Sequence, residues 1–240
     1  MKVSSRFCAL GAVLVFATAF ASADVITLVS GSATTNFQSL SGSTAPAGVT
    51  PYNGGFFPGP SQPGLGVSGP ATVLTTPVTP TWGAAIGSSA WVSYAQTGPG
   101  NFAQTSPNGN YWFDETFTTL ANETYTGSLN VEADDTVVVF LNGHQENTPT
   151  NPGAFSHCSN GVPTCMGPTL VTFNSADFII GGLNTLEFQL IQGGVQQLGL
   201  DYAGSVTGTP NAVTPEPGSL ILLGTGLLGS AGALFRRRRA

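Results

Sequence analysis

Two cysteines, Cys158 and Cys165, lie in a segment rich in Gly, Pro and Asn, with six residues between them. This spacing differs from the Cys-x-x-Cys pattern of common zinc sites. In an oxidising compartment the pair favours a disulfide, which closes a short loop and contributes about 2–3 kcal/mol to stability. The sequence therefore predicts a disulfide at this place. Cys8 lies within an apolar N-terminal stretch and is interpreted as an apolar residue.

Histidines and acidic residues offer a second kind of chemistry. His144 and His157 flank the cysteine segment, and together with Glu146 they could bind a transition metal; the alternative is a pair of solvated loop histidines. Asp134 and Asp135 stand between two strand-like runs. As turn residues they would accept hydrogen bonds from nearby backbone amides, whereas together with backbone carbonyls they would form a Ca²⁺ site.

A catalytic pair is harder to assemble from the sequence. Asp114 and Glu115 are adjacent carboxylates, but neighbours on a strand point to opposite faces and cannot flank one glycosidic bond. The chain has no Gly-x-Ser-x-Gly elbow, no His-Glu-x-x-His helix and no phosphate-binding loop. We therefore predict that the protein is not an enzyme, with a secreted carbohydrate-active hydrolase as the alternative.

Five aromatic residues could stack against sugar rings: Trp82, Trp91, Tyr111, Trp112 and Phe113. On a strand, Tyr111 and Phe113 share one face and Trp112 takes the other. At least one of these rings is therefore expected in the core.

The distribution of charge excludes one class of function. All six basic residues are Lys2, Arg6 and Arg236 to Arg239, so residues 24–213 carry acidic side chains and no Lys or Arg. Binding to nucleic acid needs cations that neutralise phosphates and is therefore excluded. With 32 Gly, 17 Pro and only 8% charged residues, the composition is typical of a loop-rich, all-β extracellular domain.

Short runs of β-branched and aromatic residues, separated by turn residues, predict about ten strands. The candidates are 25–29, 36–40, 71–76, 81–86, 90–96, 111–118, 124–131, 136–142, 169–173, 184–192 and 197–206. Gly/Pro-rich loops are predicted over 41–70, 97–110 and 143–168, with a turn at Asn142-Gly143 and one helical turn within 174–180. The predicted fold is an all-β, jelly-roll-like β-sandwich over residues 24–207, followed by a linker over 208–213.

The N-terminus has the three parts of a secretory signal peptide. Lys2 and Arg6 supply positive charge, residues 9–20 are apolar, and Ala21-Ser22-Ala23 offers the small residues that signal peptidase requires. We predict a signal peptide over 1–23 and cleavage before Asp24. A permanent N-terminal anchor is the weaker alternative, because the apolar run is short for a membrane span.

A second apolar stretch lies at the C-terminus. Residues 218–235 contain no charged side chain, and as a helix they would extend about 27 Å, close to the thickness of a bilayer core. Arg236, Arg237, Arg238 and Arg239 follow, and such a cluster stays on the cytoplasmic side. The sequence predicts a transmembrane helix over 218–235 with the body outside; a buried core helix is the alternative.

Residues 214–240 combine Pro215-Glu216-Pro217, a Gly/Leu-rich span and a basic tail in that order. This three-part order resembles the PEP-CTERM sorting signal. The resemblance implies a Gram-negative bacterium that makes extracellular polysaccharide and a transient inner-membrane anchor. It also implies recognition and cleavage near Pro215-Glu216-Pro217 by an exosortase, which is a membrane protease.

A looser resemblance concerns the body. In residues 129–143 an acidic turn leads into a strand that ends at Asn142-Gly143, which resembles a stretch of galactose-binding-like jelly-roll domains; residues 182–188 resemble a later strand of the same domains. The resemblance implies the fold over about 110–207, hints at sugar recognition, and implies structural calcium. Together these features predict a non-enzymatic protein of the cell surface or extracellular matrix that associates with exopolysaccharide.

Overall fold

The computed structural model describes residues 23–40, 44–54, 67–75, 81–99, 106–150, 158, 161–194, 196–211 and 217–239. Several predicted features lie outside this part of the chain. They are the signal peptide up to residue 22, with Ala21 at its cleavage site, and also His157, Pro215 and Glu216.

Twelve strands in the described residues form two six-stranded sheets, which pack against each other as an all-β sandwich. Sheet A contains β1 (Asp24–Val29), β4 (Thr72–Val73), β5 (Val92–Ser93), β7 (Glu123–Asp134), β10 (Thr169–Thr172) and β12 (Gly199–Pro210). Sheet B contains β2 (Asn36–Gln38), β3 (Gly69–Pro70), β6 (Gly109–Thr118), β8 (Thr136–Leu141), β9 (His144–Gln145) and β11 (Leu183–Gln192).

Antiparallel pairing holds each sheet together. The order in sheet A is β10-β7-β12-β5-β4. β5 pairs with β12 only at Leu200, and β1 pairs with the later part of β12, from Ala203 to Gly208. The order in sheet B is β3-β2-β6-β11-β8-β9. Apolar residues alternate along the long strands, so Leu129 and Val131 of β7 and Phe188 of β11 meet between the sheets in one core.

The outer sides of both sheets are partly covered by loops. Segment 44–54 crosses sheet B, where Val49 and Tyr52 pack against Trp112. Two hydrogen bonds to Gln189 also hold the backbone of Tyr52 in place. The Tyr52 N–H donates to Gln189 Oε1 at 2.8 Å, and the Tyr52 carbonyl accepts from Gln189 Nε2 at 3.1 Å. On sheet A, residues 81–91 cover the end at which β7 finishes and β12 begins.

The long strands match the predicted ones, whereas several boundaries differ. Residues 81–86 do not form a strand: the Ile86 N–H donates to Asp201, and the Gly83 N–H to the Cys165 carbonyl. β12 extends to Pro210, into the predicted linker, because it pairs with β7 along the full length of β7. The predicted helical turn is a 3₁₀ turn at Ser175–Asp177, and the predicted turn at Asn142-Gly143 has positive φ at both residues.

A helix, α1, runs from Pro217 to Arg239 and so includes the segment predicted to cross the membrane. Proline suits the first turn of a helix because its missing N–H has no partner there. The side chains of this helix are described over 222–238. Among the described residues, no helix combines the length and the apolar character that a membrane crossing requires. The transmembrane assignment of 218–235 stays a prediction.

Candidate functional site

The outer side of sheet A carries a group of hydroxyl side chains, which we call the hydroxyl face. It consists of Thr27, Thr126, Ser128, Thr172, Ser205 and Thr207. This surface follows from strand alternation: Leu129 of β7 and Val206 of β12 point into the core, so their neighbours point outward. All six members are exposed or partly exposed.

The registers align the hydroxyl face in rows. Thr27 lies opposite Ser205, and Ser205 lies opposite Ser128. Ser128 in turn lies opposite Thr172, so one row crosses four neighbouring strands. In the next row Thr207 lies opposite Thr126. Neighbouring strands are about 4.8 Å apart, so these hydroxyls form a regular, shallow array.

The chemistry of the hydroxyl face is that of hydrogen bonding without charge. Each hydroxyl can donate one hydrogen bond and accept two. No member of the face is titratable, so the face offers neither a general base nor an activated nucleophile. Such a surface suits a neutral polymer that is itself covered with hydroxyl groups.

The five aromatic residues considered for sugar stacking are all buried: Trp82, Trp91, Tyr111, Trp112 and Phe113. Tyr111 and Phe113 lie in the main core, and Trp112 packs under segment 44–54 on the other side of sheet B. Trp82 and Trp91 pack against each other with ring centroids 4.5 Å apart. None of these rings is an exposed stacking platform.

Asp134 and Asp135 lie at the junction of β7 and β8, and their carboxylates have different partners. Asp134 accepts hydrogen bonds from Trp82 Nε1 at 2.8 Å and from the Cys158 N–H at 3.1 Å. Asp135 accepts one from the Gly193 N–H at 2.7 Å. These N–H donors favour the interpretation as turn residues, and the Ca²⁺ site stays the untested alternative.

Cys158 and Cys165 are joined in a disulfide, which agrees with the prediction, and their Cα atoms are 5.2 Å apart. Both cysteines are buried and pack against Leu74, Trp82 and Trp91. Asp134 lies close enough to both sulfur atoms for the three residues to resemble a metal site. Because sulfur binds metals as a thiolate, the disulfide removes two of these ligands.

The structure places His144 near acidic residues at an exposed turn. His144 Nδ1 is 3.7 Å from Asp177 Oδ1, and the ring is mostly exposed. Glu146 accepts a hydrogen bond from the Asn174 N–H at 2.8 Å. Burial, and secondarily the charge of Asp177, raises the pKa of Glu146 to about 6. His157 lies outside the described residues, so a metal site that includes it stays a prediction.

Asp114 and Glu115 point to opposite sides of β6, as strand geometry requires. Glu115 faces the core, where the Tyr202 hydroxyl donates to its Oε2 at 2.9 Å, and burial raises its pKa to about 7. Asp114 faces outward and accepts a hydrogen bond from Gln38 Nε2 at 2.9 Å. It lies directly opposite Glu187 of β11, and burial raises the pKa of that carboxyl to about 7.

Four buried acids were not singled out from the sequence: Glu123, Glu132, Glu187 and Asp201. Each lies within or next to a strand-like run of a body that has no basic side chain. The only sign of these sites in the sequence was an acidic residue in or beside a strand-like run. The sequence alone could not show which of these carboxylates the loops would bury.

These features define an all-β sandwich with a neutral hydroxyl surface, ending in a helix with a basic tail. Residues 213–239 match the family model of the PEP-CTERM protein-sorting motif. No curated protein matches the chain at a significant level.

The C-terminus is therefore a PEP-CTERM sorting motif, as the order of residues in 214–240 had indicated. The motif implies that the protein is exported and processed by an exosortase-like membrane protein. It also implies transient membrane anchoring before display at the cell surface. Of the Pro-Glu-Pro sequence itself, the structure describes Pro217, which begins α1.

Proposed function

We propose that this protein is a non-enzymatic component of the cell surface or extracellular matrix that binds neutral extracellular polysaccharide through its hydroxyl face. The row formed by Thr27, Ser205, Ser128 and Thr172 is the observation that carries the proposal. A polymer chain lying along such a row can exchange hydrogen bonds with one hydroxyl after another. The export and surface display that the sorting motif implies would bring the hydroxyl face into contact with extracellular polymers.

The charge of the body supports a neutral polymer over an acidic one. Residues 24–213 contain acids and no Lys or Arg, so an anionic polysaccharide would be repelled. The acids that share the outer side of sheet A, Glu132, Asp134 and Asp201, are buried at its far end. A ligand can therefore contact the hydroxyl face without removing water from a carboxylate of the protein.

The proposed route begins with the signal peptide over 1–23, which signal peptidase would remove after Ala23. The segment 218–235 would then hold the chain in the inner membrane of a Gram-negative bacterium, with Arg236 to Arg239 on the cytoplasmic side. Cleavage near Pro215-Glu216-Pro217 would release the body to the surface or matrix. Calcium within the body is not needed for this route.

Binding of the processed protein to immobilised polysaccharides tests the proposal. We expect it to bind a neutral glucan or galactan more strongly than an acidic alginate. Ser128→Lys places a long side chain in the centre of the hydroxyl face and should weaken binding about tenfold, which corresponds to about 1.4 kcal/mol. The matched control is Thr116→Lys, at an exposed threonine on sheet B. Equal binding by the two variants, or no binding by the wild type, would refute the proposal.

A second candidate is a carbohydrate hydrolase, which the Asp114–Glu187 pair favours. The two residues face each other across β6 and β11, and a carboxyl with a pKa of about 7 suits a general acid. Glu187 is buried, so the residues that cover it would have to move for a substrate to enter. Release of reducing sugar by the wild type, lost in Glu187→Gln, would establish this candidate in place of the first.

A further inference from the structure

The first strand of the β-sandwich begins, and its last strand finishes, at the same end of the domain. Asp24, the first residue of β1, lies opposite Gly208 near the end of β12. Pro210, the last residue of β12, lies opposite Glu123. The Asn211 N–H then donates to the Asn122 carbonyl at 2.9 Å, which fixes the chain against the turn between β6 and β7.

The same end of the sandwich carries a group of exposed apolar side chains, which we call the apolar tip. It consists of Leu120, Ile179, Ile180 and Leu183, with 54%, 50%, 46% and 60% of each side chain exposed. Hydrogen bonds hold its two segments together. The Thr119 N–H donates to the Gly182 carbonyl at 3.0 Å, and the Thr119 hydroxyl donates to the Ile179 carbonyl at 2.6 Å.

The apolar tip lies near the point where the chain leaves the sandwich for the sorting helix. Leu120 is two residues from Asn122, to which Asn211 is bonded. From Asn211 to Pro217, where α1 begins, the chain has six Cα–Cα steps and spans at most about 20 Å. Whatever surface the helix enters is therefore within reach of the tip.

We propose that the apolar tip rests on the membrane surface while the sorting helix anchors the chain. The proposal rests on the anchoring that the sorting motif implies. Large apolar side chains that cluster at one end are unfavourable in water and favourable at the boundary between headgroups and acyl chains. The tip contains no charged side chain, so zwitterionic lipid is sufficient for the contact. Contact of the tip with the membrane would keep the sandwich at the bilayer surface while the chain is anchored.

Tryptophan fluorescence of the full chain in phosphatidylcholine vesicles tests this contact. The three native tryptophans, Trp82, Trp91 and Trp112, are buried and give a constant background. Leu120→Trp places a reporter on the tip. Leu170→Trp is the matched control. Leu170 is 64% exposed on β10 and lies opposite Asn130 of β7, away from the tip. Ile180→Trp is a second tip reporter in case the first variant does not fold.

With brominated phosphatidylcholine, we expect the fluorescence of a tip reporter to be quenched about threefold more than that of Leu170→Trp. The reason is that a side chain inserted in the membrane surface lies about 5–10 Å into the boundary between headgroups and acyl chains.

Vesicle flotation of the same samples measures anchoring separately. Flotation with equal quenching of tip and control would overturn the tip contact but leave anchoring intact. Failure to float would overturn both. A tip reporter that is shielded without lipid, in a protein that sediments as a dimer, would show that a second copy covers the tip and would also overturn the proposal.

Discussion

Asp201 of β12 lies directly opposite Glu132 of β7. Both residues are buried, with 0% of Asp201 and 1% of Glu132 exposed. Asp201 accepts hydrogen bonds from the Ser30 hydroxyl and the Ile86 N–H, both at 2.8 Å. Among the described residues, Glu132 Oε2 has no hydrogen-bond partner. Burial and the neighbouring Asp201 raise the pKa of Glu132 to about 7. The pair is therefore most stable with a proton on Glu132.

This pair predicts a stability that falls as the pH rises. A raised pKa means that the folded protein holds the proton more tightly than the unfolded chain between the normal value of 4.5 and about 7. The contribution is complete below about pH 4.5 and is lost as the pH rises through 7. We expect the melting temperature to be lower at pH 8 than at pH 5.

Glu132→Gln tests which residue is responsible, because the amide resembles the protonated acid. We expect the variant to lose about 2 kcal/mol of the pH-dependent part of the unfolding free energy. Asp24→Asn, at the edge of sheet A, removes the same charge and serves as the control. Identical pH profiles for wild type and Glu132→Gln would contradict this assignment.

The disulfide should contribute measurable stability. Replacing both Cys158 and Cys165 by Ala should lower the free energy of unfolding by about 2–3 kcal/mol, because an unfolded chain without the bond gains conformational entropy. Denaturant titration of the exported protein measures this loss. Met166→Ala, which truncates an exposed side chain of the same loop, should change little. Labelling of free thiols at both cysteines in exported protein would show that the bond does not form.

Calcium binding at Asp134 and Asp135 can be tested by melting in calcium, magnesium and sodium chlorides at matched ionic strength. Because these carboxylates accept hydrogen bonds from N–H groups, we expect equal melting temperatures in the three salts. A specific ion at hundredfold excess over its Kd would add about 2.7 kcal/mol. A calcium-specific rise that vanishes in Asp134→Asn/Asp135→Asn would place an ion at this turn after all.

The basic tail should control membrane retention before processing. Replacing Arg236 to Arg239 by Gln removes the charges that oppose movement across the membrane, so less protein should be retained and correctly processed. Fractionation and intact mass of the products measure both effects. Replacement by Lys keeps the charge and should behave like the wild type. A Gln variant that fractionates and matures normally would exclude this role.

The features that the sequence predicted well depend on residues close together in the chain. The order Pro-Glu-Pro, apolar span and basic tail in 214–240 is readable without a fold, and the family model confirms it. Runs of β-branched and aromatic residues between turn residues indicated the long strands β6, β7, β8, β11 and β12, and such runs are likewise readable from neighbouring residues alone. Proximity along the chain was also enough to pair Cys158 with Cys165.

Tertiary structure decided which residues are buried and which surfaces are exposed. Residues 81–86 look like a strand, yet they cover Asp201 because its carboxylate and the Cys165 carbonyl accept their backbone N–H groups. The hydroxyl face needs the register between Ser128 and Thr172, and between Thr27 and Ser205, which are far apart in sequence. A shift of one residue in either pairing would turn these side chains toward the core. That register is set by the packing of both sheets together, so only the folded chain specifies it.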